Sequence, residues 1–208
     1  MPDINNIPNK MITEHQNWHN FPGKPNRGGR IIDPWSNNRP EPAPGSGEEF
    51  LIWHEGFIER FNNWVVKQPA NEQPKASSIK PWVEVPIGFK MGMVGWNSST
   101  AADALRLADM KNFSSLDELG RFLESGIHGW LHFAAASMFS EPVLMSFAGP
   151  RSTYFWQLHG LIDYWRQQWV NHAESLQPVD ASAMIANVEM PMVLTAKEIK
   201  IIEAIRAI

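Results

Sequence analysis

Apolar side chains recur at spacings of three and four after residue 48. Phe50, Trp53, Phe57, Phe61, Trp64 and Val65 share one stripe, which predicts an amphipathic helix closed by Pro69 and Pro74. The segment TYFWQLHGLIDYWRQQWVNHAE, residues 153–174, predicts a further long helix. Between them Ser115 and Glu118 have the spacing of a capping box before LDELGRFLE, and Gly126 is expected to break or kink the run before IHGWLHFAAASMF. A small helix is expected over 101–110, and residues 1–20 read as an arm ending in a helical turn or two. Six prolines and five glycines within residues 21–47 predict a long loop, and 70–100 offer at most short extended pieces. After an irregular stretch over 175–194, Thr195 and Glu198 cap a last helix with Ile199, Ile202, Ile205 and Ile208 on one stripe. The expectation is a mainly α fold, an antiparallel helix bundle with long irregular loops, in which 1–174 form one domain and 175–208 an extension ending in an amphipathic helix. The terminal Ile stripe needs cover from the same chain or from a partner, so a homo-oligomer stays open.

Composition narrows the function. A net charge of −4 over 208 residues gives no electrostatic footprint for nucleic acid or for an anionic membrane. No apolar run reaches 18 residues, and MPDINNIPNK lacks the basic and apolar regions of a secretory signal, so the expected location is cytoplasmic. The absence of cysteine excludes disulfide scaffolds, thiolate zinc sites, iron–sulfur clusters and thiol catalysis. Ten tryptophans stand against two tyrosines, and their helical spacing reads as core.

The histidines carry the chemical signal. His128 and His132 lie four apart on an expected helix, so both imidazoles project from one face, and His15 and His19 repeat that spacing in the N-terminal arm. His54 and His159 stand singly in aromatic helical segments. Six histidines in helical contexts, with no thiol, suit a copper or iron centre better than a structural zinc site.

At these residues the chain resembles the type-3 (binuclear) copper proteins, the family of tyrosinases, catechol oxidases and haemocyanins, in a short bacterial-type form. FLIWHEGFIERF is similar to the segment bearing the last ligand of their first copper. GIHGWLH is similar to the HxxxH of their second site, and FWQLHGLIDYWRQQW, whose His159 falls 27 positions after His132, to the helix bearing its last ligand. The resemblance covers roughly residues 48–170. It implies a dicopper domain over 1–174, with two copper ions as cofactors. His128, His132 and His159 would hold the second copper, and His54 would be the last ligand of the first, with His15 and His19 supplying its other two. It also implies that Asp163 orients the site from behind the ligands and that Phe155 packs near the metals. No catalytic residue beyond the metal ligands is implied.

Several features depart from the family pattern. His15 and His19 are only four apart, with 34 residues between His19 and His54; Ser152-Thr153 stand where the family has Asp-Pro, and Leu158 where it has His. Without cysteine the thioether of some members cannot form. The implied activity is oxidation of o-diphenols or o-aminophenols to quinone-type products, with dioxygen and a small aromatic substrate as the partners. Monophenol hydroxylation is expected to be weak. In hydroxylating members the residue after the first histidine of HxxxH is often an Asn that helps an upstream Glu hold a water as base; here it is Gly129, with Glu118 assigned to a helix cap and Glu124 before the Gly126 break. Three rival readings are a dioxygen- or copper-binding protein without turnover, a dedicated natural-product biosynthetic oxygenase, and a one-copper protein using the second site alone.

Overall fold

A computed structural model describes residues 4–20, 44–91 and 94–176. The expected loop over 21–47 lies outside them save for its last four residues, and the Ile-striped helix over 195–208 lies outside them entirely. Contacts divide the chain into two units, Met1–Glu174 and Ser175–Ile208. The first unit is mainly helical, with no strand among the described residues. Its α-helices are α1 (Asn9–Asn20), α2 (Ser46–Val65), α3 (Ser98–Arg106), α4 (Leu116–Ser125), α5 (Ile127–Met138) and α6 (Thr153–Ser175). None of the described helices is long and apolar enough to cross a membrane. Short 3-10 turns punctuate the connections, including Pro142–Met145 and Gly149–Arg151.

The N-terminal arm holds more helix than the one or two turns expected of it, because Ile7, Met11, His15 and Trp18 fall on one buried face. Helix α3 starts at Ser98 rather than 101. The Asn97 side chain accepts from the Ser99 and Thr100 N–H groups, while the Thr100 hydroxyl accepts from Asn97 N–H, a reciprocal capping box. At α4 the Ser115 hydroxyl accepts from Glu118 N–H, but the Glu118 carboxylate turns outward to Ser114 and Arg106 instead of closing a box. Where short extended pieces were expected, Ala76–Ser78 and Ile87–Met91 form 3-10 turns, with no strand among the described residues.

Helix α2 begins at Ser46, two residues before the sequence signal, because its cap comes from elsewhere. Gly45, at φ +83, has no side chain to offer. Asp117 of α4 instead accepts from the Gly47 and Glu48 N–H groups at 2.9 and 3.4 Å, and Arg121 pairs with it at 3.0 Å. Burial alone would raise the Asp117 pKa, but N–H bonds from Gly45, Gly47 and Glu48 together with Arg121 hold it lower. The approach that makes this possible is a glycine crossing. A Cβ at Gly47 would fall 2.1 Å from the Asp117 carbonyl oxygen, and one at Gly120 would fall 2.0 Å from the Gly47 oxygen.

Helices α2 and α6 meet differently, through large rings. Phe61 stacks on Trp156 at 3.6 Å between centroids, and Phe57 packs on Trp156 at 5.2 Å. Phe50, Phe57, Phe61 and Phe155 are fully buried, each contributing about 1.5–3 kcal/mol of transfer free energy. Arg166 of α6 adds a polar link by binding Glu55 of α2.

The glycine crossing is testable beside a glycine with room. Gly120→Ala drives a methyl into backbone that has no rotamer to change, so a loss of about 3 kcal/mol or more is expected in urea unfolding. Gly129→Ala in α5, where an added Cβ meets nothing within 4 Å, should instead raise stability by about 0.5–1 kcal/mol. Equal midpoints for the two variants would show that the two backbones have slack at the crossing.

Candidate metal centre

Six of the seven histidines come together as two triads. His15, His19 and His54 form one and His128, His132 and His159 the other, the donor nitrogens of each lying within 4.8 Å of one another. The helical repeat accounts for the pairs: four residues along α1 or α5 return a side chain to the same face one turn on. Packing accounts for the rest. Trp18 stacks on Trp53 at 4.9 Å, docking α1 on α2 so that His54 meets His15 and His19 across the gap of 34 residues. The seventh histidine, His172, lines a separate groove near the end of α6 and belongs to neither triad.

The ring orientations are set by backbone carbonyls. Nδ1 of His15 donates to the Phe147 oxygen at 2.9 Å, Nδ1 of His132 to the Leu144 oxygen at 2.9 Å, and Nδ1 of His54 to the Phe50 oxygen one turn earlier on α2 at 2.7 Å. A carbonyl only accepts, so the proton of each neutral ring sits on Nδ1 and the Nε2 lone pair is left to bind a metal. His159 is held by packing: its Nδ1 is buried without a partner, and its ring stacks on His54 at 4.7 Å and leans on Phe155 at 4.0 Å.

Within the second triad the Nε2 atoms of His128, His132 and His159 stand 3.1, 3.2 and 3.5 Å apart. In the first, Nε2 of His19 lies 3.1 Å from that of His15. Tetrahedral donors at about 2.0–2.1 Å from a first-row ion are roughly 3.3 Å apart, so the spacing fits one ion per triad. Converging lone pairs with too few protons to bond them all repel one another, and a cation among them removes the repulsion. The two triads can each hold a metal ion. They are neighbours: His54 stacks on His159, and His54 and His128 lie 6.1 Å apart, ring to ring.

For four of these rings burial disfavours the charged form. Burial, the largest cause, lowers His15 to about 4 against the opposing Phe147 bond, and it lowers His132 to about 4 against the Leu144 bond. His128 and His159 are held well below the ordinary range by burial and by the neighbouring histidines. Around them Phe155 lies 5.0 Å from His15 and 5.9 Å from His132, ring to ring, and Trp18 stands edge-on to His19 and His54 at 4.8 Å each. His19 and His132 are half-buried and the other four are buried, so each triad has one histidine near the surface.

Asp163 requires a correction. Its carboxylate accepts from Arg166 Nε at 2.7 Å and Gln167 Nε2 at 2.6 Å, so it steadies the Arg166 link to Glu55 rather than orienting a ligand. The groups that orient ligands are the Phe50, Leu144 and Phe147 carbonyls, which carry no side-chain signature. Glu118 is held by Ser114 and Arg106, and those bonds lower its pKa despite some desolvation, which removes it as a resting base. Comparison of the chain with family models, with curated proteins and with solved structures finds no match.

The buried neutral rings make the metal-free protein acid-sensitive. Their folded-state pKa values lie below the 6.5 of an unfolded histidine, so their stabilisation is complete above pH 6.5 and is lost as pH falls towards 4. Each of His15 and His132 should remove on the order of 2–3 kcal/mol over that window. Urea midpoints of metal-free protein at pH 7.5 and 4.5 will check this; a flat profile would mean the rings are solvated.

Proposed function

We propose that the protein is a type-3 copper oxidase that uses dioxygen to oxidise o-diphenols or o-aminophenols to quinone-type products, its two metals held in an antiparallel helix bundle. The observation that carries the reading is the pair of adjoining three-imidazole sets, each with its donor nitrogens converging. No carboxylate or thiolate belongs to either set among the described residues, which favours copper over calcium, magnesium or structural zinc. Two copper ions held there supply dioxygen activation and a two-electron oxidation of an aromatic ring.

The chain's own residues then bind, orient and exclude water. Phe50, Phe155 and Trp18 wall the ligands on the buried side. One ligand of each triad, His19 and His132, is half-buried, so a small aromatic substrate approaches along their side. Proton handling sets substrate preference. A monophenol must lose its proton to bind a metal well, and Gly129 offers no side chain to hold a water while Glu118 is engaged by Ser114 and Arg106. A diphenol or an aminophenol needs that base less.

Elemental analysis of copper-reconstituted protein should give two coppers per chain, and the double change His15→Ala and His19→Ala should remove one and keep the other. Oxygen uptake should be at least tenfold faster with catechol or o-aminophenol than with tyrosine. One copper per chain in the unaltered protein would favour the single-site reading. Two coppers with no catechol turnover would replace the oxidase by a dioxygen- or copper-binding protein.

A further inference from the structure

The turn at 142–147 touches both halves of the centre. Its Leu144 carbonyl holds Nδ1 of His132 on α5, and three residues later its Phe147 carbonyl holds Nδ1 of His15 on α1. One ligand of each triad is thus aimed by the same few residues of backbone. We propose that this turn is a shared clamp, a single positioning element that orients one ligand in each metal site, so that a change confined to it weakens both sites together. The clamp rests on the two-metal reading of the centre.

The turn is built to hold still. Pro142 fixes its first dihedral, and Glu141 N–H donates to the Ala136 oxygen of α5 at 2.8 Å. Leu144 is buried and pins the middle. Ser146 ties the stretch between the two carbonyls. Its N–H and its hydroxyl both donate to the Val143 oxygen, at 3.0 and 2.8 Å, and the hydroxyl accepts from Ala148 N–H at 3.2 Å. Beyond it a Cβ at Gly149 would lie 3.0 Å from the Phe155 ring, Pro150 accepts from Trp156 Nε1 at 2.9 Å, and Arg151 donates to Asn9 of α1 at 3.0 Å. The turn and the residues that follow it therefore join α5, α6 and α1, and two of these helices carry the histidines that its carbonyls hold.

Two other ligands serve as internal contrasts. His54 is aimed from within its own helix by Phe50, and His159 is aimed by ring stacking, so neither depends on the turn. Loss of a group that orients a metal-bound histidine weakens affinity by about 10–100-fold.

Ser146 is exposed, so replacing it leaves the core untouched. Its φ of −130 and its bonded N–H are both incompatible with proline, and Ser146→Pro redirects the chain between the two carbonyls. The experiment places Ser146→Pro in two single-site backgrounds, His54→Ala to disable the first site and His128→Ala to disable the second. Full-length metal-free chain is titrated with Co(II), and the ligand-field absorption reports the ion's surroundings. The expected result is an affinity at least tenfold weaker in both backgrounds, with a changed band shape. A purely structural turn would lower the melting midpoint of metal-free protein and leave both affinities within twofold, which would overturn the clamp. Weakening of one site alone would also overturn it. Should Ser146→Pro fail to fold, Ser146→Gly, which removes the hydroxyl bonds and frees the backbone, is read by the same criteria with a threefold threshold. Failure of the unaltered chain to bind two Co(II) would instead count against the two-metal reading itself.

Discussion

An imidazole buried in an apolar interior must give its N–H to something, and the centre depends on how that demand is met. Three of the six rings meet it with a backbone carbonyl on Nδ1, which fixes tautomer and ring plane together. Once the proton is committed to that side, the opposite nitrogen presents a lone pair, and the surrounding helices bring such lone pairs face to face. The arrangement is unfavourable for neutral rings alone and favourable around a cation. Burial that suppresses protonation thus also prepares the donors.

The two kinds of helix contact follow from that centre. Rings stacked between α2 and α6 leave room for His54 and His159 to lie face to face, with Phe57, Phe61 and Trp156 filling the space beside them. At the start of α2 the opposite occurs, where glycine against glycine lets α4 come close enough to cap a neighbour's N-terminus with Asp117. A wide seam beside the histidines and a tight one for anchorage lie at different places along one helix.

The legible part of the centre was what helical periodicity controls. His15 with His19, and His128 with His132, share faces because four residues make about one turn, and the aromatic stripes around His54 and His159 mark them as inward-facing. Other features depend on distant chain. The beginning of α2 is set by Asp117, 70 positions beyond the Gly47 whose N–H it accepts. The role expected of Asp163 went instead to carbonyls, which every residue possesses and no composition reveals. Asp163 sits one turn after His159, yet on the face that meets Arg166 and Gln167. Spacing pointed to the histidine pairs that gather in the two triads; only tertiary packing could name the groups that hold their rings.

The indole of Trp18 has an optical consequence. It stands edge-on to His19 and His54 at 4.8 Å each and stacks on Trp53 at 4.9 Å, so two of the ten tryptophans form a coupled chromophore against one triad. An open-shell ion held by those histidines would drain the excited state of that pair far faster than those of indoles remote from the centre. The emission of this protein would then be divided by position, with a fraction that goes dark on loading and a remainder that does not. Such a division would report loading of the centre, with no added label.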